Sequence, residues 1–248
     1  MALLKTSNLF KSYDNNTVLK NINFSLENNQ IISIIGPSGC GKSTFFNVIS
    51  FLESFDSGEI QYHGQDLVDS SNNLEPSIIS SIRNDIGYIM QDNALFDNFN
   101  IYQNLSLSLI QNNIPNIDEK IHNILDLVGL DTNVLDKSPS ELSGGMQKRV
   151  AIARTVLLEP KIILFDEPSS GLDPITRRKI DELILDLKIN KNISSIIITH
   201  DIDEIQSISD KVCCFFDGEI IFFDSVSNIK FSDNTFIKDY FKVSKAGI

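Results

Sequence analysis

The glycine-rich segment GPSGCGKST, residues 36–44, constrains the fold of this chain more than any other feature. It follows the apolar run IISII and precedes a helical pattern that begins at Lys42. The segment fits the pattern G-x-x-x-x-G-K-[ST], and its position between a strand and a helix is the context that this pattern requires. Glycines let the backbone curl so that several N–H groups point at one anion, and the start of the helix adds its positive dipole end. The segment therefore predicts a phosphate-binding loop.

The residues of this loop have separate predicted tasks. Lys42 can reach the outer phosphates of a nucleotide, and the hydroxyl group of Ser43 can ligate Mg²⁺. The other residues of the loop contribute mainly backbone groups to the phosphates: Gly36, Pro37, Ser38, Gly39, Cys40, Gly41 and Thr44.

An acidic pair follows a second apolar run, in the segment ILFDEP. At the end of a buried strand, Asp166 can hold Mg²⁺ through water, and Glu167 then stands where it can polarise an attacking water molecule. Acidic pairs at strand ends also commonly cap the next helix. The phosphate-binding loop upstream favours the metal and general-base interpretation.

The overall charge and composition exclude several classes of protein. The formal net charge is -12, whereas a nucleic-acid-binding protein usually presents a basic stripe. The basic clusters Lys148-Arg149 and Arg177-Arg178-Lys179 are interpreted as solvated helix faces. Three cysteines lack metal-ligand spacing and are interpreted as buried small hydrophobic residues in a reducing compartment. Because no apolar run reaches the roughly 18 residues of a membrane span, we expect a soluble chain, and any membrane role would have to come through a partner.

The pattern along the chain predicts an α/β fold with a mostly parallel sheet. Residues 1–35 alternate between apolar and polar and indicate antiparallel strands. From about residue 92 to 159 the pattern is helical, and the strand pattern then resumes at Ile162. A hairpin is predicted around Asp217-Gly218, and a short helix or tail over 234–240.

The segment LSGGM, residues 142–146, precedes the helical segment QKRVAIARTVLLE and lies between the loop and ILFDEP. In this order the three segments resemble the signature of the ABC-type ATPases. Further family elements occur in sequence. Tyr13 matches the aromatic residue that stacks on adenine, Gln91 the Q-loop glutamine, Asp173 the D-loop aspartate and His200 the switch histidine.

This resemblance implies a P-loop NTPase with a RecA-like, mostly parallel sheet core, an N-terminal antiparallel region and an inserted helical subdomain. It implies one nucleotide-binding domain over 1–248, with the core at about 1–91 and 159–230, the helical subdomain at about 92–158 and a tail at 231–248. ATP and Mg²⁺ are the implied ligands, and Mg²⁺ would be held by Ser43, Gln91 and Asp166. Lys42, Gln91, Glu167 and His200 would carry the hydrolysis.

The family arrangement also implies a second copy of the chain. Two copies would meet head to tail, so that Ser143, Gly144 and Gly145 of one face the γ-phosphate held by the other, and Asp173 communicates across the dimer. Taken singly, each position has a plainer interpretation. Tyr13 is typical of an edge strand, Gln91 of a strand-end cap, Ser143 of a helix N-cap and His200 of a structural histidine.

The substance that is transported is predicted from two further segments. The stretch DNALFDNFNIYQNLSLSL, with the triplet Ala94-Leu95-Phe96, and the segment SSGLDPIT resemble the Mla-type lipid-transport ATPases. The partners would then be an integral membrane permease and a lipid-binding subunit, and the chain would lie on the cytoplasmic face of the inner membrane. The alternatives are another importer, for example of polar amino acids, or a soluble assembly such as an iron–sulfur scaffold.

Overall fold

The computed structural model describes residues 2–14, 16–68 and 76–243. The described strands are, in chain order, β1 (Ala2–Tyr13), β2 (Asn16–Glu27), β3 (Ile31–Ile35), β4 (Ser57–Tyr62), β5 (Gln65–Val68), β6 (Ile86–Ile89), β7 (Ile162–Asp166), β8 (Ser194–Ile198), β9 (Lys211–Phe216) and β10 (Glu219–Ser225). The described helices are α1 (Lys42–Ile49), α2 (Pro76–Asp85), α3 (Ile101–Gln111), α4 (Ile117–Leu127), α5 (Gly144–Val156), α6 (Pro174–Lys191), α7 (Ile202–Ile208) and α8 (Thr235–Val243).

The larger sheet has six strands in the order β10-β9-β3-β8-β7-β6. All neighbours in it are parallel except β9 and β10, which form the predicted hairpin. Strands β3, β7 and β8 are almost wholly buried, because one face packs against α1, β1 and β2 and the other packs against helices α3 to α6. Their sequences are correspondingly apolar. The register pairs Ile34 with Ile198 and Asp166 with Ile198, so these three strands end at one edge of the sheet. The segments that follow these strands therefore meet at that edge.

The smaller sheet is antiparallel, in the order β2-β1-β4-β5, as the alternating N-terminal pattern predicts. Its apolar face joins Phe24, Phe45 and Phe215 in one core, with the Phe24 and Phe45 ring centroids 5.2 Å apart. Strand β5 and helix α2 are not predicted from the sequence. Strand β5 has four residues, too few to show an alternating pattern, and α2 is interrupted by serines. The α/β fold class with an antiparallel N-terminal region is confirmed.

Three helices, α3 to α5, lie between β6 and β7 in the chain and pack together around Leu105, Leu125 and Val150. Helix α3 begins with a reciprocal cap, in which the Asn100 side chain accepts from Gln103 N and the Gln103 side chain accepts from Asn100 N. The division into core and helical subdomain remains a prediction. Among the described helices, none combines the length and apolar character that crossing a bilayer demands.

The predicted C-terminal helix is present as α8. It covers the end of the larger sheet, where Ile237 is buried beside Ile35 and Cys214. All three cysteines are free and buried, as the sequence predicts. Of the predicted tail, residues 244–248 lie outside the described residues.

Candidate functional site

The loop between β3 and α1 has a shape that depends on glycine at two positions. Gly36 has a φ of +148°, and a Cβ atom there would lie 2.2 Å from the carbonyl oxygen of Phe215 in β9. Gly41 has a φ of +104°, and its Cβ would lie 2.9 Å from the carbonyl oxygen of Val18 in β2. The loop is therefore held closely against both sheets, in a conformation that side-chain-bearing residues rarely adopt.

Lys42 begins helix α1, and its side chain is buried. Its Nζ donates to the carbonyl oxygens of Gly36 at 2.7 Å and Pro37 at 2.9 Å. The ammonium group is thus held inside the curve of the loop by neutral acceptors. A phosphate entering the loop would offer it a charged acceptor, which forms a stronger hydrogen bond. The adjacent Ser43 is exposed, so its hydroxyl group is accessible from the same side.

Asp166 ends strand β7 beside this loop. Burial, and then the neighbouring Glu167, raise the pKa of the Asp166 carboxyl group, while Lys42 and Lys148 oppose the shift. The hydroxyl group of Tyr88 donates to Asp166 Oδ2 at 3.5 Å. A raised pKa means that the negative charge at this position is incompletely compensated by the protein itself.

The Glu167 carboxylate contacts two side chains that follow the ends of other strands, β6 and β8. Gln91 Nε2 donates to one carboxylate oxygen, Oε2, at 3.2 Å, and His200 Nε2 lies 3.3 Å from the other, Oε1. The backbone of Glu167 has a φ of +50°, uncommon for a residue with a side chain, and its N–H donates to Ile198 O at 2.9 Å. Since the Glu167 side chain is 26% exposed, its carboxylate is positioned by neighbours but remains open to solvent.

One cleft of about 300 Å³ collects most of the predicted residues. Its described lining residues are Val18, Ser38, Gly39, Gly41, Lys42, Ser43, Thr44, Gln91, Asp166, Glu167, Ile198 and His200. Val18 and Ile198 are not predicted from the sequence, although Ile198 directly ends the strand before the histidine segment. The cleft therefore combines a phosphate-binding loop with a carboxylate, an amide and an imidazole.

Tyr13 lies at the end of β1, near the mouth of the cleft but not among its described lining residues. Its hydroxyl group donates to Glu53, and the Lys11 ammonium group lies 5.0 Å from the centre of its ring. The residue is 42% exposed. An accessible aromatic ring at this position is available for stacking on a planar ligand.

Ser143, Gly144 and Gly145 are not among the described residues that line the cleft. The Ser143 side chain caps helix α5 by accepting from Met146 N at 3.4 Å, and Ser143 and Gly144 are exposed. Asp173 caps helix α6 in the same way, accepting from Ile175 N and Thr176 N. The plain capping interpretation given for Ser143 thus holds, Asp173 is a helix cap as well, and both helix starts lie outside the described lining of the cleft.

Lys148 corrects an expectation from the sequence, because it does not lie on a solvated helix face. It is 5% exposed, and its Nζ donates to the carbonyl oxygens of Gln91 at 3.1 Å and Glu167 at 3.3 Å. Burial lowers the pKa of Lys148, although Glu167 and Asp166 oppose this effect. Helix α5 is thereby joined to the backbone of two cleft residues.

Arg154, six residues further along α5, makes a similar connection. Its guanidinium group donates to Ala94 O at 2.9 Å and Asn93 O at 3.2 Å, and it lies over the ring of Phe96 at 5.7 Å. The segment after Gln91 is therefore tied to α5 at successive points. Arg177 in the other basic cluster is also paired, with Asp201.

The donor set at the cleft fits Mg²⁺. Hydroxyl, amide and carboxylate oxygens of Ser43, Gln91 and Asp166 are the hard ligands that this ion prefers. Burial raises the pKa of Asp166, and a cation bound there would oppose that shift, because a nearby positive charge stabilises the ionised carboxylate.

Comparison with known proteins finds a matching family, related sequences and similar solved structures. The family model described as ABC transporter matches residues 19–170, more than half of the chain. The chain is 34% identical over 238 residues to the sulfate/thiosulfate import ATP-binding protein CysA of Mannheimia succiniciproducens, covering 94% of this chain and 64% of that protein. The chain thus spans less than two thirds of that relative's own length.

Two further similarities extend over most of both chains. The methionine import ATP-binding protein MetN of Campylobacter jejuni is 32% identical over 255 residues, covering 96% of this chain and 75% of that protein. The dimeric structure of the ATP-binding cassette MJ0796 in a post-hydrolysis state, bound to ADP and Pi, superimposes with a TM-score of 0.79 at 30% identity. It covers 90% of this chain and 98% of that one.

Proposed function

The chain belongs to the ABC transporter family, and on this premise we propose that it is the ATP-hydrolysing subunit of a membrane importer. The observation that carries the proposal is the position of Glu167. Its carboxylate contacts Gln91 and His200 in the same cleft that the phosphate-binding loop lines. A carboxylate fixed beside bound phosphate is suited to act as a general base.

Nucleotide binding would use three features of the cleft. Lys42 and the loop amides hold the outer phosphates, and the exposed ring of Tyr13 stacks on adenine. To reach phosphate, the Lys42 ammonium group exchanges its contacts with Gly36 O and Pro37 O for charged oxygens. Ser43, Gln91 and Asp166 would hold Mg²⁺, which when bound neutralises charge on the phosphate oxygens.

Hydrolysis would then depend on Glu167. Its carboxylate accepts a proton from a water molecule whose oxygen attacks the γ-phosphorus, and the bond from that phosphorus to the oxygen bridging to the β-phosphate breaks. ADP and inorganic phosphate are the products. His200 and Gln91, each within 3.3 Å of a different carboxylate oxygen, hold the base in place.

A second copy of the chain would complete the site. Ser143 and the start of α5 are exposed and lie outside the cleft, so their N–H groups and helix dipole are available to a γ-phosphate held by another molecule. Asp173 lies at a second exposed helix start and would communicate across the same interface. The similar cassette MJ0796 is dimeric, which supports a pair of copies here.

The relatives favour an importer over the other candidates. CysA and MetN are named import ATP-binding proteins, and neither name refers to lipid or to a soluble assembly such as an iron–sulfur scaffold. The partners would be an integral membrane permease and the second copy. The chain would lie on the cytoplasmic face of the inner membrane, attached through the permease.

Mla-type lipid transport is the second candidate, favoured by the triplet Ala94-Leu95-Phe96. Phe96 is 48% exposed, and Met90, next to Gln91, is also exposed. Exposed apolar side chains beside the cleft are suited to contact a membrane subunit. In this case a lipid-binding subunit would join the assembly.

Two measurements test the proposal. The purified chain should release phosphate from ATP only with Mg²⁺. Glu167→Gln should abolish the release, while Glu182→Gln, on an exposed face of α6, should not.

Affinity purification from membranes then identifies the partners. A permease with a solute-binding protein supports the importer, and a permease with an anchored lipid-binding protein supports lipid transport. Capture of no membrane protein would contradict both.

A further inference from the structure

His200 is held between two side chains that come from distant parts of the sequence. Its Nε2 lies 3.3 Å from Glu167 Oε1, and its Nδ1 lies 3.3 Å from the hydroxyl oxygen of Tyr240. Tyr240 belongs to α8, the C-terminal helix. The imidazole thus connects the candidate general base to a helix for which the sequence suggests no role.

The position of the Tyr240 hydroxyl group is set by the packing of α8. Ile237 is 1% exposed and anchors the helix on the end of the larger sheet. The ring of Phe236 lies 5.0 Å from that of Phe216 and 5.8 Å from that of Tyr240, between centroids. The aromatic contacts therefore hold the tyrosine ring in place independently of its hydroxyl group.

The chemistry of the contacts selects one form of the neutral imidazole. A neutral histidine carries one N–H, and an ionised carboxylate can only accept a hydrogen bond. The contact with Glu167 is therefore favourable when Nε2 carries the proton, which leaves Nδ1 as an acceptor. The hydroxyl group of Tyr240 can donate to that acceptor. Burial, followed by the charges of Cys214 and Asp201, raises the pKa of Tyr240 to about 12, so the donor keeps its proton.

We propose that Tyr240 is a positioning residue whose hydroxyl group donates to Nδ1 of His200 and so fixes the Nε2–H tautomer that faces Glu167. Through these contacts, the packing of the C-terminal helix influences the orientation of His200 in the nucleotide site. The consequence for ATP hydrolysis rests on the proposed function, whereas the tautomer itself is a property of the free chain.

Nitrogen NMR of the full chain with ¹⁵N-labelled histidine tests the proposal. The chain has three histidines, so His200→Gln assigns the signal. At about pH 8.5, where an ordinary imidazole is neutral, wild-type His200 should show the Nε2–H pattern. In Tyr240→Phe, which keeps the ring but lacks the hydroxyl group, the Nδ1–H form should become populated.

Hydrolysis provides the second measurement. Tyr240→Phe should lower the turnover number about two- to tenfold, the factor that one neutral hydrogen bond supplies, with nucleotide affinity nearly unchanged. Tyr102→Phe is the matched control, since the Tyr102 hydroxyl group donates at 2.8 Å to Asp118 on helix α4. It should change neither the tautomer nor turnover.

The outcomes separate this proposal from the proposed function. A wild-type Nδ1–H pattern, or an unchanged tautomer in Tyr240→Phe, would overturn the role of Tyr240 whether or not the chain hydrolyses ATP. A shifted tautomer with unchanged turnover would overturn its link to hydrolysis. The wild-type spectrum, assigned with His200→Gln, tests the tautomer, and the Tyr240→Phe spectrum tests the role of the hydroxyl group.

Discussion

The ammonium nitrogen of Lys148 lies 3.1 Å from the carbonyl oxygen of Gln91. This hydrogen bond joins helix α5 directly to the residue that follows β6 and lines the nucleotide cleft. The same nitrogen donates to the carbonyl oxygen of Glu167 at 3.3 Å. One buried charge therefore holds the backbone of two residues whose side chains contact each other. Helix α5, which Ser143 caps, and the candidate general base are parts of one hydrogen-bonded unit.

Replacing this lysine should affect both stability and turnover. We expect Lys148→Met to lower the free energy of unfolding by about 1–3 kcal/mol, because two partly buried carbonyl groups lose their charged donor. Phosphate release should fall more than nucleotide affinity, since Gln91 and Glu167 shift while the loop stays intact. Denaturant unfolding and steady-state assays measure the two effects. Lys179→Met, at an exposed position of α6, is the control, and equal behaviour of the two variants would contradict the account.

Removing the lysine of the phosphate-binding loop should weaken ATP binding selectively. We expect Lys42→Ala to raise the dissociation constant for ATP about 10- to 100-fold, the range that a lost charged hydrogen bond supplies. The affinity for adenosine should change little, because the proposed contacts of Lys42 are with the outer phosphates alone. Calorimetric titration compares the two ligands. Lys120→Ala, which removes an ion pair with Glu159 on the helical region, should bind ATP normally.

A buried pair of carboxyl groups behind the cleft predicts an unusual pH dependence. Asp181 in α6 and Glu204 in α7 are both buried, and the Glu204 carboxyl group lies within hydrogen-bonding reach of Asp181. Burial, and then the charge of Glu204, raise the pKa of Asp181 to about 7. Burial also raises the pKa of Glu204. A proton shared between the two carboxyl groups would give both of them a hydrogen bond.

The sign of the effect follows from the raised pKa. An aspartate in the unfolded chain ionises near pH 3.9, so between about pH 4 and pH 7 the folded state binds the additional proton. The free energy of unfolding should therefore fall as pH rises through this window, by up to about 4 kcal/mol for a shift of this size. Asp181→Asn should flatten the decline and be more stable than wild type at pH 8, whereas Glu182→Gln should follow wild type. Identical pH profiles for Asp181→Asn and wild type would refute the shared proton.

The sequence predicts the parts of the site that lie in short motifs. The carboxyl ends of parallel strands meet at one sheet edge, so Lys42, Asp166, Glu167 and His200 can be placed together from motif and pattern alone. Gln91 joins them because it follows β6 in the same sheet.

Long-range packing explains what the sequence does not predict. Lys148 follows a polar residue on a helix and resembles a solvated lysine, and only the tertiary fold places carbonyl groups around it. Tyr240 lies 40 positions from His200, so no local pattern links them. The acidic pair of Asp181 and Glu204 likewise depends on how α6 and α7 pack together.

The proposed sharing of each nucleotide between two copies is tested most directly by the oligomeric state of Glu167→Gln, measured by size exclusion with light scattering. With MgATP this variant should bind nucleotide without turning it over and should form a dimer, whereas without nucleotide it should be monomeric. Adding Ser143→Arg should prevent the dimer. Adding Asn123→Arg, the control at an exposed position of α4, should not. A Glu167→Gln chain that binds MgATP and stays monomeric, or a dimer that persists with Ser143→Arg, would contradict the account.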